Sequence, residues 1–146
     1  ISSSDAVFLS KLKNNEKWLL DKKILEILSQ RYNLAILTGR PRKEAIYVLK
    51  KNKVIDYFKV VIAMEDISKQ KPNPEGLLKV LNKFPNSGAY YFGDTIDDMK
   101  TAVSANIIPV GVLPPQDKSK FLENLLAKNG AKLVIQNINQ IMEALK

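Results

Sequence analysis

Short apolar runs alternate with amphipathic stretches along this chain, and several of the runs break on a small or acidic residue just before the next stretch begins. The runs are Asn33–Leu37, Lys59–Met64, Ala89–Phe92, Ile107–Leu113 and Leu133–Gln136. They are short, flanked by turn residues and rich in β-branched or aromatic side chains, which suits buried strands. Between them, Trp18–Arg31, Arg42–Lys53, Gly76–Phe84, Met99–Ala105 and Asp117–Lys128 carry apolar residues at helical spacing, and Asn137–Lys146 closes the chain as a further helix. Alternation of this kind dictates an α/β fold, a mostly parallel sheet with helices on both faces. The spacing places Leu20, Ile24, Ile27 and Leu28 on the inner face of the first helix, and Pro109 breaks the fifth strand.

The most informative stretch is Ala89–Ala102, AYYFGDTIDDMKTA. It reads as a strand, an acidic turn and a helix, so Asp94 sits at the carboxyl end of a strand, where open α/β sheets keep their ligand crevice. Asp94 and Asp98 are four residues apart and can point into one volume. Two close carboxylates repel unless a positive group lies between them, and a hard divalent cation such as Mg²⁺ suits oxygen ligands of this kind. A plainer reading is that Asp94 caps the helix while Asp97 and Asp98 favour its dipole. Both stay open on this stretch alone.

Two other strand ends carry polar groups. Asn33–Leu37 runs into Thr38-Gly39-Arg40-Pro41, where Thr38 offers a hydroxyl and the Gly39 and Arg40 amides a small anion nest, or where an ordinary turn stands. After the third strand comes Lys71-Pro72-Asn73-Pro74, with Asn73 placed to cap the helix that follows. Lys71 is thereby fixed just ahead of a helix start, and this position alone sets it apart from an ordinary surface lysine.

Composition narrows the chemistry. The 146 residues contain no Cys and no His, which removes thiolate and imidazole nucleophiles, His triads and zinc sites of the usual kind. Carboxylates, Lys, Arg, hydroxyls and backbone amides remain. Net charge is +8, and residues 1–59 hold 13 Lys and Arg against 6 Asp and Glu. The basic residues fall at helical spacing with no aromatics interleaved, so a solvated surface is favoured over nucleic-acid binding. No run approaches the roughly 20 apolar residues of a membrane span, and no signal peptide is visible, so no membrane partner is expected and the expected compartment is the cytoplasm. Ile1 is not Met, and the start of the protein is not in view.

Taken together, LAILTGRP (Leu34–Pro41), KPNPEGL (Lys71–Leu77) and YFGDTIDDMKTA (Tyr91–Ala102) resemble, in order, the second, third and fourth motifs of the haloacid dehalogenase (HAD) superfamily of phosphohydrolases. With GVLPP, they are most similar to its phosphoglycolate-phosphatase-like subfamily. The resemblance covers about residues 19–115 and implies a Rossmann-like core, with the cap domain largely absent from this chain. It implies that Thr38 binds a phosphoryl oxygen with help from the Gly39 amide. Lys71 would neutralise the phosphoryl group, Asp94 would ligate Mg²⁺, and Asp98 would hold a metal-bound water or the lysine. The implied substrate is a small phosphomonoester, hydrolysed through an aspartyl-phosphate.

The first motif of that family, a strand ending in Asp-x-Asp, has no match before Thr38. If Ala6–Leu9 is the first strand, Ser10 and Leu12 occupy the two acidic positions. Three readings follow. The nucleophile segment lies outside the chain and Ser2–Leu12 is a cap remnant; or the chain is a non-catalytic relative that binds phosphate or a partner; or it is another doubly wound domain, although no Gly-x-Gly-x-x-Gly or P-loop is present. Residues 1–18 are thus either cap remnant or degenerate first element, and residues 19–146 the core.

Overall fold

The computed structural model describes residues 5–10, 13–14, 17–85 and 87–145. Its centre is a parallel sheet built from β1 (Ala6–Leu9), β4 (Asn33–Leu37), β5 (Val60–Ile62), β6 (Ala89–Gly93), β7 (Ile108–Val112) and β8 (Leu133–Ile135), in the spatial order β5-β4-β1-β6-β7-β8. A two-stranded antiparallel pair, β2 (Lys13–Asn14) with β3 (Lys17–Trp18), lies apart from it. The chain winds outward from β1 through β4 to β5, then crosses back to β6 on the other side of β1. The order therefore reverses at β1, and the crevice beyond its carboxyl end is the switch point of the sheet.

Helices cover both faces. Leu25 and Leu28 of α1 (Lys22–Arg31), Leu49 of α2 (Arg42–Lys51) and Ile141 of α6 (Ile141–Ala144) pack with Val7, Leu9, Leu34 and Ile36 on one face. On the other, Leu77 and Val80 of α3 (Glu75–Leu81) and Ala102 of α4 (Ile96–Ser104) pack with Phe8, Ala35, Leu37 and Tyr91. Met99 of α4 and Leu126 of α5 (Lys120–Lys128) meet Leu113 in a third cluster. Because β1 is buried on both faces, its whole sequence is apolar rather than alternating. No helix among the described residues is long and apolar enough to cross a membrane.

Several sequence expectations are corrected. The first helix begins at Lys22, not Trp18, because the Asp21 carboxylate accepts from the Lys23 amide and caps it there, 2.8 Å away. Its buried side is Leu25 and Leu28, while Ile27 is 41% exposed. The closing helix is also shorter, a 3-10 turn at Ile138–Gln140 followed by α6. Pro109 does not break β7; it sits inside it, in register with Tyr91. The Pro109 carbonyl accepts from the Lys132 amide, so its nitrogen faces the β8 side, ahead of Leu133, and no ladder bond to β6 is lost.

Of the ambiguous Ser2–Leu12 segment, Ala6–Leu9 forms the central strand, paired with both β4 and β6. Residues 2–4, 11 and 12 lie outside the described residues.

Candidate active site

Ser10, Thr38 and Asp94 follow the carboxyl ends of β1, β4 and β6 and so stand along one edge of the sheet. The Ser10 amide donates to the Phe92 carbonyl at 3.2 Å, which carries the β1–β6 pairing one residue further and fixes Ser10 at the switch point.

Asp98 is buried at this edge, only 2% exposed. Lys71 Nζ lies 2.7 Å from its Oδ1, and Tyr91 donates its hydroxyl to the same oxygen at 3.0 Å. Its Oδ2 accepts from the amides of Asp94 and Thr95, at 3.1 and 3.3 Å, and from the Ser10 hydroxyl at 3.4 Å. Five donors converge on a group with about four lone-pair directions, so this buried carboxylate is fully satisfied. The sequence reason is local. Thr95 is the N-cap of α4 and accepts from the Asp98 amide at 3.0 Å, while Asp98 returns the bond to the Thr95 amide. The capping hydroxyl is therefore that of Thr95, and not the carboxylate of Asp94 that the plainer sequence reading would use.

Lys71 reaches the cluster from the loop before α3. Its side chain is 23% exposed, and its ammonium stands 5.6 Å from the centre of the Tyr91 ring, within cation–π range. The loop is pinned by Glu75, whose carboxylate accepts from the amides of Ser68 and Lys69 and from the Ser68 hydroxyl. Those bonds push the Glu75 carboxyl down to about 2. The N-cap position of α3 is Pro74 and not the expected Asn73, which lies one residue ahead and accepts from the Glu75 amide at 2.9 Å. Burial, and then the Asp98 charge, drive the Tyr91 hydroxyl well above its ordinary value, so it remains a neutral donor.

Thr38 stands on the neighbouring strand end. Its amide donates to the Ile62 carbonyl at 2.9 Å, and its hydroxyl accepts from the Arg40 amide at 3.2 Å. The Arg40 amide is thus already used, and Gly39 supplies what remains of the expected nest. A Cβ added to Gly39 would meet only Gln70 Oε1, at 3.8 Å, so the space before it is open. Asp97 is exposed on the first turn of α4, and its carbonyl accepts from the Thr101 hydroxyl at 2.6 Å.

Lys71 and Asp98 are therefore in direct contact, Asp94 adjoins them through its amide, and Thr38 with Gly39 forms a separate turn on the same edge. Sequence reasoning missed Tyr91 and Gly93. Tyr91 reads as one of several apolar strand residues. Gly93 reads as a strand breaker, yet a Cβ there would lie 2.4 Å from Asp98 Cβ, so its hydrogen is what lets Asp98 close over the strand end. The fit to a divalent cation is one of kind. The donors at this edge are oxygens, which suit Mg²⁺, but both oxygens of Asp98 are taken, and no group of three or more His, Cys, Asp or Glu able to hold a metal occurs among the described residues.

Residues 14–112 match the family profile of haloacid dehalogenase-like hydrolases. The chain belongs to this family. It is 35% identical over 111 residues to the imidazoleglycerol-phosphate dehydratase of Phytophthora nicotianae, covering 73% of this chain and 24% of that protein. It is 32% identical over 74 residues to the phosphoglycolate phosphatase of Rhodobacter capsulatus, covering 51% of this chain and 34% of that one. Its fold is similar to that of a HAD-superfamily hydrolase of subfamily IA from Geobacter sulfurreducens. That match has a TM-score of 0.68 and 26% identity, and covers 86% of this chain and 54% of that one. The chain thus spans about a quarter to a third of these two curated relatives. Within the family its sequence is similar to that of phosphoglycolate phosphatases.

Proposed function

We propose that these residues form the phosphate-handling core of a Mg²⁺-dependent phosphatase of small phosphomonoesters, working through an aspartyl-phosphate whose nucleophile is not supplied by this chain. The observation that carries the reading is the Lys71 ammonium, held at the switch-point edge by Asp98 Oδ1 and the Tyr91 ring. A cation fixed in that way is pre-organised for a phosphoryl group, and phosphoryl transfer depends mainly on positioning and charge neutralisation.

In this account Thr38 and the Gly39 amide orient the phosphoryl oxygens, and Lys71 offsets the charge that builds on them. Asp98 keeps Lys71 aimed. Asp94 is the carboxylate of this chain that would hold Mg²⁺, with Asp98 behind it. When bound, the ion supplies electrostatic stabilisation to the transferring group and its acceptor. Covalent catalysis further requires a carboxylate beside the β1 end, where this chain has Ser10. These 146 residues should accordingly show no useful turnover of 4-nitrophenyl phosphate with Mg²⁺. Turnover by this chain that Asp94→Asn abolishes would overturn the assignment of the nucleophile.

One observation favours a second reading. Ser10 occupies the central strand end with a hydroxyl donated to Asp98, in place of a carboxylate. In that reading the chain is a HAD-like phosphate-binding or regulatory domain, which binds phosphate yet gives no turnover in any longer form of the protein.

A further inference from the structure

A cavity of about 410 Å³ opens beside Asp94 and Ser10 on the β7 side of the sheet edge, away from Thr38 and Lys71. Its walls are mostly apolar, from Leu19, Val112, Pro114 and Ile138. The size falls within the range of small-molecule sites, and the combination of apolar walls with a few polar groups is their usual make-up. The shape is held by hydrogen bonds that do not need a ligand. Asn139 accepts from the Asp21 amide at 2.6 Å and donates to the Leu19 carbonyl at 3.1 Å, which ties the 3-10 turn of residues 138–140 to the segment ahead of α1.

Among the described residues, one cation borders this cavity. Lys118 donates to the Leu113 carbonyl at 3.0 Å and to the Gln136 carbonyl, and it has no carboxylate partner among the described residues. Two acceptors leave one of its three protons for a ligand. Partial burial holds its pKa below the ordinary lysine value, as expected for an ammonium short of counter-charge.

We propose that this cavity is a subsite for the organic body of the phosphomonoester: a compact, apolar, aromatic-sized group that ends in a carboxylate or carbonyl oxygen facing Lys118. The assignment rests on the phosphate site proposed above. Asp94 and Ser10 line this cavity and also stand on the sheet edge that carries Thr38, so an ester whose phosphoryl group binds at that edge can place its body in the cavity. Apolar walls favour such a body over a polyhydroxylated one, whose hydroxyls would lose water without finding partners.

The test is calorimetric titration of this chain, with Mg²⁺ present, using methylphosphonate, phenylphosphonate and 4-carboxyphenylphosphonate, none of which can be hydrolysed as an ester. Phenylphosphonate is expected to bind about tenfold more tightly than methylphosphonate, the gain from burying a ring. The carboxylated compound should bind more tightly again. Lys118→Met should remove the gain from the carboxylate alone, and Leu19→Trp, which fills the cavity, should remove the gain from the ring while methylphosphonate binding is unchanged. Equal binding of all three compounds to the unaltered chain overturns the subsite and leaves the phosphate site standing. Binding of none of them overturns the phosphate site and the subsite with it.

Discussion

Tyr91 and Lys71 meet on a single atom. The tyrosine hydroxyl and the lysine ammonium both bind Asp98 Oδ1, at 3.0 and 2.7 Å, and the ammonium also lies over the tyrosine ring. The strand β6, the loop before α3 and the first turn of α4 are thereby tied together at the point where the proposed phosphate site needs a fixed charge. Tyr91→Phe keeps the ring and removes one bond to a buried carboxylate. It should destabilise the chain by about 1–3 kcal/mol, measured by urea unfolding. Phosphate affinity should fall as well, but by less than in Tyr91→Leu, which also removes the ring from beneath Lys71.

Gly93 and Gly39 separate structural from functional glycine. A Cβ at Gly93 would collide with Asp98 Cβ, Cγ and Oδ2, all within 2.6 Å. Gly93→Ala should therefore cost stability, on the order of 1–3 kcal/mol for an overpacked site. Gly39→Ala meets nothing closer than 3.8 Å, so its melting temperature should stay within a degree or two. Its Cβ would intrude on the open space before Thr38, and phosphate affinity should drop. Equal stability of the two variants would contradict the packing described at Gly93.

Acid should loosen the Lys71 loop before the sheet. The bonds from Ser68 and Lys69 lower Glu75 from an ordinary 4.5 to about 2. A group whose pKa is depressed on folding contributes stability that is fully present above its unfolded value and is lost as pH falls through its folded value. The contribution of Glu75 should therefore be complete above pH 4.5 and fade towards pH 2. Amide exchange of Ser68 and Lys69 in that window, compared with Glu75→Gln, checks it; identical acid profiles for the two proteins would show that the bonds do not form.

Asp98 is buried with Lys71 as its charged partner, so the two truncations are not equivalent to a change at Asp94. Lys71→Met leaves a carboxylate that is 2% exposed without its cation and should destabilise the chain, by about 3 kcal/mol as an upper figure given that Lys71 is partly solvated. Asp94 follows the end of β6 and is only partly buried, so Asp94→Asn should remove Mg²⁺-dependent phosphate binding at a smaller cost in unfolding free energy than Lys71→Met. Thermal melts beside binding isotherms distinguish the two.

The parallel α/β architecture was legible because strand-like apolar runs and helical spacing alternate without interruption. The candidates Thr38 and Asp94 stand just past the ends of such runs, whereas Lys71 and Asp98 were singled out by the resemblance of KPNPEGL and YFGDTIDDMKTA to family motifs. What was not legible depends on contacts between segments far apart in the chain. Tyr91 contributes through its hydroxyl, but a buried strand shows only its apolar pattern. Gly93 matters because Asp98 folds back over it, and that packing has no periodic signature. Pro109 is tolerated in β7 because its nitrogen faces the β8 side beyond the end of that strand, which depends on strand order. Helix starts shifted where a cap decided them, as Asp21 does for α1.

The most direct test of the central claim is calorimetric titration of these 146 residues with orthophosphate in the presence of Mg²⁺, alongside the Thr38→Val and Lys71→Met variants. The account predicts saturable binding to the unaltered chain and a loss of at least tenfold in each variant, with both variants still folded by circular dichroism. Absence of binding, or binding of equal strength in all three proteins, would contradict it.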